Sequence, residues 1–281
     1  MIYADDTQIY SVKSKSPDSY STMSKLEACI EDIRSWSLAN GLKLNDSKTE
    51  LIHISSKFRS VSPIQSFQIG TAHIEPVQKA RNLGVVFDSH LTMDPHVNNV
   101  CRAASLALHK IGKIRNYLDQ QTTETLVHAF VSSRLDNCNS LLYGLPDSRL
   151  KKLQHIQNSA ARLVTLKKSS DHITPILRSL HWLPIADRIK YKVLLLTFKC
   201  LHSSAPTYLQ DLVVQYTPSR RLRSSSKLLL SSPPVSTKYY GHRSFQYSAA
   251  YLWNNLPAKV KEARTLTNFK TLLKTYLFSS L

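Results

Sequence analysis

The chain has 281 residues, of which 42% are apolar and 20% are charged, and 37 basic side chains against 19 acidic ones give a formal net charge of +18. These proportions exclude a disordered tail, a collagen-like fibre and a disulfide scaffold, and six glycines are too few for a Gly-rich cofactor-binding fold. No apolar run approaches the roughly 18 residues that a membrane span needs, so we expect no membrane partner.

The first 90 residues carry the patterns of short strands and one helix. Residues 1–12 predict two short strands joined by an Asp-Asp turn, since β-branched and aromatic residues flank that pair. Residues 23–36 have apolar side chains three or four positions apart, which indicates an amphipathic helix, and an Asn-Gly pair shortly after predicts its end. Short strands are predicted at 42–54 and 64–88, the clearest of them at 83–87.

From residue 94 onward the pattern becomes helical. Asp94 can cap a helix whose first turn holds Pro95, and apolar residues then recur every three or four positions. The predicted helices lie at 94–118, 123–142, 147–164, 186–202, 246–255 and 268–278. The segment 216–245 is rich in Ser, Pro and Arg and is predicted to be an exposed basic loop with short strands. The sequence therefore predicts an α+β protein, with a small mixed part followed by a mainly helical part.

The positive charge is concentrated in the second half of the chain. Residues 1–60 carry eight basic and eight acidic side chains, residues 61–150 carry eight and seven, and residues 151–281 carry 21 and four. Such a segment repels itself unless an anion lies nearby, and nucleic acid is the commonest large anion in a cell. An anionic membrane surface and a solvated basic face are the alternatives.

A stretch without carboxylates, between Asp211 and Glu262, holds the candidate nucleic-acid contacts. The basic candidates are Arg220, Arg221, Arg223, Lys227, Lys238 and Arg243. Aromatic residues are interleaved with them, namely Tyr216, Tyr239, Tyr240, Phe245, Tyr247, Tyr251 and Trp253. Aromatic faces stack on unpaired bases while Arg and Lys neutralise phosphates. The alternative for Phe245, Tyr251 and Trp253 is the core of a small terminal fold.

The Asp5-Asp6 pair is the sharpest local chemical feature. Two adjacent carboxylates on a tight turn can converge on divalent cations, and hard oxygen ligands suit Mg²⁺. Paired metal ions of this kind stabilise the attacking and leaving oxygens of phosphoryl transfer. Adjacent aspartates are common on protein surfaces, so the pair gains meaning only from the motifs that follow it.

Those motifs, in their order and spacing, resemble the reverse transcriptases of non-long-terminal-repeat (LINE-like) retrotransposons, from the second half of the palm onward. The matching motifs are Tyr-Ala-Asp-Asp at 3–6, Leu-Asn-Asp-Ser-Lys-Thr at 44–49 and Asn-Leu-Gly-Val at 82–85. Similar blocks continue downstream at 129–136, 139–146, 156–162, 180–184 and 252–257. The resemblance covers nearly the whole chain.

The resemblance implies an RNA-directed DNA polymerase that transfers nucleotides by a two-metal mechanism. Asp5 and Asp6 would be catalytic metal ligands for Mg²⁺, and Lys48 would protonate the pyrophosphate leaving group. The primer grip would comprise Asn82, Leu83, Gly84 and Val85. Gly84 suits that role, because a backbone approaches a ligand closely only where no side chain intervenes.

The resemblance also divides the chain into four regions. These are a partial palm at 1–90, a thumb-like helical region at 91–166, a helical connection at 167–215 and a basic C-terminal region at 216–281. The implied partners are RNA and DNA template–primer. Four widely spaced cysteines form no metal-binding motif and predict reduced thiols in an intracellular protein, either nuclear or cytoplasmic.

Two requirements of the family have no counterpart in this sequence. Family members need a third palm carboxylate and finger residues from an earlier polymerase segment, which we expect to be missing. We therefore expect the chain alone to bind Mg²⁺ weakly or not at all and to be inactive as a polymerase. The alternatives are a non-catalytic RNA- or DNA-binding module and a functionless remnant of a mobile element.

Overall fold

Helices account for most of the chain, and the strands form small antiparallel pairs. The computed structural model describes residues 2–3, 6–12, 19–58, 67–69, 72–218, 228–237 and 239–279. These residues divide into two compact units, Met1–Pro95 and His96–Leu281. The architecture agrees with the predicted α+β class, and the finer division into four regions stays a prediction.

Three two-stranded antiparallel sheets lie within the described part of the first unit. They pair β1 (Ile2–Tyr3) with β2 (Asp6–Thr7), β3 (Phe67–Ile69) with β4 (Ala72–Ile74), and β5 (Lys79–Asn82) with β6 (Val85–Asp88). Two short paired strands at the start are confirmed, but the predicted Asp5-Asp6 turn is wrong by one residue, because Asp6 lies in β2 and pairs with Tyr3. The predicted strand at 83–87 begins at Val85, because the two residues before it form the turn.

The core of the first unit is small. The helix α1 (Ser19–Ala39) packs against β3, so that Leu26 and Ile30 contact the buried Ile69 and Ile74. Other apolar side chains of this unit remain exposed: Ile9, Tyr10, Val12, Trp36, Leu38, Leu42, Ile54 and Phe58. This unit therefore buries little of its apolar surface among its own described residues.

The strands predicted at 42–54 are wrong. Asp46–Lys48 forms a 3-10 turn, and Leu51 makes only an isolated bridge to Pro76. The side chains of this segment satisfy the local backbone instead, since Thr49 Oγ1 donates to the Asn45 carbonyl over 3.1 Å. Such local hydrogen bonds of Asn, Ser and Thr compete with strand pairing.

The predicted helices of the second half are largely confirmed, except at 123–142. The α-helices are α2 (Asp94–Ile114), α3 (Gln120–Val127), α4 (Ser133–Asp136), α5 (Asp147–Thr165), α6 (Ile173–Ser179), α7 (Ile185–Leu201), α8 (Thr207–Gln210), α9 (Phe245–Asn254), α10 (Ala258–Lys261) and α11 (Leu266–Ser279). In the described parts of 216–245 the predicted short strands are absent, and only Gln215 and Leu230 form an isolated bridge.

The single helix predicted at 123–142 is broken into four pieces. A π-helical turn at His128–Ser132 separates α3 from α4, and a 3-10 turn follows at Asn139–Leu142. The helix ends at Asp136, since Asn137 is extended with ψ 118°, and Cys138 then adopts a left-handed conformation with φ 51°. Apolar spacing alone does not reveal this break.

The core of the second unit forms where α7 packs against α9 and α11. The rings of Phe198 and Phe269 stack with centroids 4.3 Å apart, and Trp253 stacks on Phe269 at 6.0 Å. All three side chains are fully buried. The alternative interpretation of Trp253 as a core residue is therefore confirmed.

Within the described ranges, no helix combines the length and the apolar character that crossing a bilayer would require.

Candidate nucleic-acid interface

The Asp-Asp pair lies at the start of β2, whose first residue is Asp6. Asp6 pairs with Tyr3 of β1. Asp5 itself lies outside the described residues, and only the backbone of Asp6 is described.

The loop that carries Lys48 faces the same cavity as the strand that contains Asp6. Lys48 ends the 3-10 turn, its N–H donates to the Asn45 carbonyl over 3.1 Å, and it is exposed. The cavity measures about 160 Å³, and its walls include Thr49 and Leu51 on one side and Thr7 on the other. The segments following Lys48 and following the Asp-Asp pair therefore come together in one unit.

The residues of the predicted primer grip form the turn of the β5–β6 hairpin. Asn82 pairs with Val85, and Leu83 and Gly84 between them have φ values of 45° and 85°. Two successive positive φ angles are those of a type I′ turn, which matches the twist of the flanking strands. The Asn82 Nδ2 group donates to Gln8 Oε1 over 3.0 Å, which ties this turn to the residue just after β2.

Leu83 is an unusual residue for this turn. A left-handed backbone costs an ordinary L-residue about 1 kcal/mol, whereas Asn adopts it readily. We expect Leu83→Asn to slow amide hydrogen exchange in β5 and β6 by about fivefold, which corresponds to about 1 kcal/mol of local stabilisation. Leu83→Ala is the control, because it removes the half-exposed side chain without relieving the strain. Equal exchange rates in both variants would contradict this reading of the turn.

Asp88 holds the chain where β6 ends. Its carboxylate accepts hydrogen bonds from the N–H groups of Thr92 and Met93 over 2.9 and 2.8 Å. Burial opposes ionisation of Asp88, but these hydrogen bonds outweigh it and leave the pKa of the carboxyl below its ordinary value. Both oxygens of this carboxylate therefore accept hydrogen bonds from the backbone that leads into α2.

The first unit supplies only part of the ligand set that a magnesium ion needs. Adjacent Asp carboxylates are the donor type that Mg²⁺ prefers. Among the described residues, no three His, Cys, Asp or Glu side chains converge on one point. A cation at Asp5-Asp6 would consequently need oxygen ligands beyond this pair.

In the second unit, His242, Tyr247 and Tyr251 form a row of parallel rings that we call the aromatic ladder. The rings of His242 and Tyr247 lie 4.3 Å apart at 1°, and those of Tyr247 and Tyr251 lie 6.0 Å apart at 8°. Tyr251 is 50% exposed at one end of the ladder. Tyr143 lies nearby, and burial together with the phenols of Tyr251 and Tyr247 raises its pKa.

Two arginines flank a tyrosine beside this ladder. Arg149 Nη1 donates to the Tyr239 hydroxyl over 3.2 Å, and the Arg243 guanidinium lies 5.8 Å from the Tyr239 ring centroid. The stem of Arg243 crosses Gly144, where a Cβ would lie only 2.8 Å from Arg243 Cγ. A glycine at 144 thus permits Arg243, a predicted phosphate contact, to pack beside the ladder.

The part of the basic loop around residues 219–227 is anchored to α9, the helix that carries Tyr247 and Tyr251. The residues on either side of this part are paired, since the Tyr216 N–H donates to the Leu229 carbonyl over 2.9 Å. The Asn254 side chain of α9 then bonds both backbone groups of Leu230, over 2.8 and 2.9 Å. The remaining predicted contacts lie outside the described residues: Arg220, Arg221, Arg223, Lys227 and Lys238. The structure therefore places the attachment points of residues 219–227 beside α9.

Sequence reasoning missed part of this interface. Tyr251, offered as a possible core residue, is half exposed, because Ala249, Ala250 and Trp253 occupy the buried face of α9. Tyr143 and Arg149 lie about a hundred positions earlier in the chain, so that no local pattern links them to the ladder. The alternation of Tyr and Arg was the available signal, and it identified the segment but not its geometry.

Comparison of the chain with protein-family models, curated proteins and solved structures gave no match.

Proposed function

We propose that the chain is the C-terminal part of an RNA-directed DNA polymerase of a LINE-like retrotransposon, and that it holds an RNA–DNA template–primer. The observation that carries this proposal is the hydrogen bond between Asn82 and Gln8, over 3.0 Å and 74 positions of sequence. It joins the turn at 82–85 to the residue just after the strand that contains Asp6, which supports the closeness that nucleotide addition at a primer end requires.

The proposed chemistry assigns a role to each motif of the first unit, which would be a partial palm. Asp5 and Asp6 would hold Mg²⁺, which supplies charge stabilisation for phosphoryl transfer. Lys48, exposed at the end of its turn, would donate a proton to the departing pyrophosphate. Two carboxylates are an incomplete ligand set, so we expect polymerisation to need further residues and the chain alone to be inactive.

The second unit would bind the nucleic acid by charge and stacking, with residues 91–166 acting as a thumb. Residues 151–281 carry 21 basic and four acidic side chains. The aromatic ladder runs from His242, next to Arg243 in the chain, to an exposed Tyr251 on the helix that anchors the basic loop. A stacking face next to cations is the usual arrangement for single-stranded nucleic acid. This arrangement equally favours the second candidate function, a non-catalytic RNA- or DNA-binding module.

Binding of a primer–template with a single-stranded overhang tests this proposal. Stacking of a base on an aromatic side chain contributes about 1–3 kcal/mol. We therefore expect Tyr251→Leu to weaken binding by about 5- to 100-fold in fluorescence anisotropy.

The matched control is Tyr208→Leu, which removes a 54% exposed tyrosine outside the thumb and the ladder that has no ring partner among the described residues. We expect wild-type affinity from this control. Equal affinities of Tyr251→Leu and the wild type would argue against stacking on the ladder. An absence of any binding would favour the remaining reading, a remnant without function.

A further inference from the structure

A second cavity lies in the His96–Leu281 unit, away from the residues of the aromatic ladder. It measures about 420 Å³, within the size range of small-molecule sites. Its walls come from α3, the turns around α4, α7 and α11, together with the segment that joins α6 to α7. Asp136 and residues 180–183 of this cavity belong to blocks that resemble the family, whereas Lys192 and Lys274 lie outside those blocks.

Both carboxylates in the cavity wall are already engaged. Asp136 accepts a two-point hydrogen bond from Arg188, in which Nε lies 2.8 Å from Oδ1. Glu124 Oε1 accepts from Trp182 Nε1 over 3.2 Å and lies 3.4 Å from His128 Nε2. Arg188 thus neutralises Asp136, and the Glu124 oxygen is held by the Trp182 and His128 rings.

Two lysines of the wall have no such partner. Lys192 on α7 is half-buried and Lys274 on α11 is exposed, and neither forms an ion pair with a carboxylate among the described residues. Among the described residues, the Lys274 ammonium lies over the ring of Phe278, 5.7 Å from its centroid. An ammonium group in a partly enclosed cavity attracts an anion more strongly than one in open solvent.

The rest of the wall contains aromatic side chains and two structural anomalies. Trp182, Tyr191 and His181 supply the rings. The Oδ1 atom of Asn139 is buried without a hydrogen-bond partner among the described residues, a costly state that a ligand donor would relieve. His181 has φ 54°, a left-handed strain of the kind found at binding sites.

We infer that this cavity binds a phosphate-bearing nucleotide, free or at the end of a strand, with its phosphate at Lys192 and Lys274 and its base against the aromatic wall. A bare phosphate would leave the aromatic surface and the Asn139 acceptor unused. The inference stands apart from the proposed function, since neither the ladder nor the Asp-Asp pair contributes to this cavity.

The test uses the fluorescence of Trp182 in the full chain carrying Trp36→Phe, which removes the exposed tryptophan of the other unit. Trp253 is buried and gives a constant background. We expect adenosine monophosphate to quench the signal saturably, with a dissociation constant below about 1 mM. Inorganic phosphate should bind at least about tenfold more weakly, because it cannot stack.

Variants locate the signal in the cavity. Lys192→Met and Lys274→Met should each raise the dissociation constant about tenfold. Lys270→Met, on the same helix as Lys274 but outside the cavity, is the matched control and should change nothing. His181→Gly removes a ring while keeping the left-handed backbone, so it should weaken binding in a folded protein.

A 5′-phosphorylated pentanucleotide distinguishes the two sources of the nucleotide. Binding at least about tenfold tighter than that of the monophosphate indicates a strand end, and equal binding indicates a free nucleotide. No saturable change with either, equal affinity for inorganic phosphate, or equal effects of Lys270→Met and Lys274→Met would overturn the inference. Tyr251→Leu should leave monophosphate binding intact, because Tyr251 does not line this cavity. Failure of the cavity inference can therefore be distinguished from failure of the proposed function, which is tested through Tyr251.

Discussion

The affinity for an RNA–DNA template–primer is expected to fall by about 10³-fold when salt rises from about 50 to 200 mM. Lys and Arg side chains that neutralise phosphates release counterions, and the logarithm of the binding constant then falls by about 0.9 per phosphate contact with the logarithm of salt. An excess of 17 positive charges over residues 151–281 supplies enough cations for the six or so contacts that this loss requires.

The basic loop should account for part of that slope. Replacing Arg220, Arg221 and Arg223 with Gln is expected to reduce the slope by about 2–3, one unit for each lost phosphate contact. The matched control replaces Lys25, Lys43 and Lys57, three exposed lysines of the charge-balanced first 60 residues, with Gln. A binding constant independent of salt, or equal slopes for both triple variants, would contradict phosphate binding by this loop.

Arg115→Met is expected to destabilise the second unit by about 3–5 kcal/mol. Arg115 is 6% exposed, and its guanidinium donates to the carbonyls of Leu163 and Val164, over 2.9 and 3.0 Å. These carbonyls lie in the last turn of α5, where a positive charge also stabilises the helix dipole. Removing the guanidinium leaves buried acceptors without partners, and that loss is a large fraction of a typical domain stability.

Urea unfolding measures this effect when Trp182 and Trp253 report on the second unit in the Trp36→Phe background. Arg102→Met is the control, since Arg102 lies exposed on α2 and should contribute less than about 0.5 kcal/mol. The loss of unfolding free energy in Arg115→Lys should lie between the losses in Arg102→Met and Arg115→Met, because lysine keeps the charge but lacks the planar fork of donors. A loss below about 1 kcal/mol in Arg115→Met would show that these carbonyls find other partners.

The sequence predicted the elements whose signals are local. The apolar stripe and the Asp94-Pro95 start identified α2, and a pair of turn-forming residues between β-branched ones identified the first hairpin. Such features act over one or two helical turns, so that a single sequence is sufficient. The end of α2 was predicted at 118, whereas the helix gives way to a 3-10 turn at Arg115.

The failures arose where side chains compete with the periodic backbone. Asn45 and Thr49 organise their own turn, and Cys138 reverses its φ angle inside an otherwise helical pattern. Apolar periodicity carries no information on either event. The helix α6, with only seven residues, was too short to give a signal.

The candidate interface was predictable in composition but not in geometry. The basic and aromatic residues of 216–251 were identified from their alternation, yet the contact between Arg149 and Tyr239 joins residues 90 positions apart. Likewise, the motif at 82–85 predicted a turn near a primer, and its hydrogen bond to Gln8 appears only in three dimensions. Contacts between residues so far apart in the chain can be identified only from the three-dimensional structure.

Photo-crosslinking from position 83 tests most directly whether the β5–β6 turn and the Asp-Asp pair lie at a primer end. Leu83 is 48% exposed, so p-benzoylphenylalanine can replace one apolar L-residue by another at this position. With an RNA–DNA template–primer bound, the account predicts crosslinks to the last few nucleotides at the 3′ end of the primer. The control position is Leu38, 59% exposed on α1. Crosslinks only to the template, or no more than from Leu38, would contradict the account.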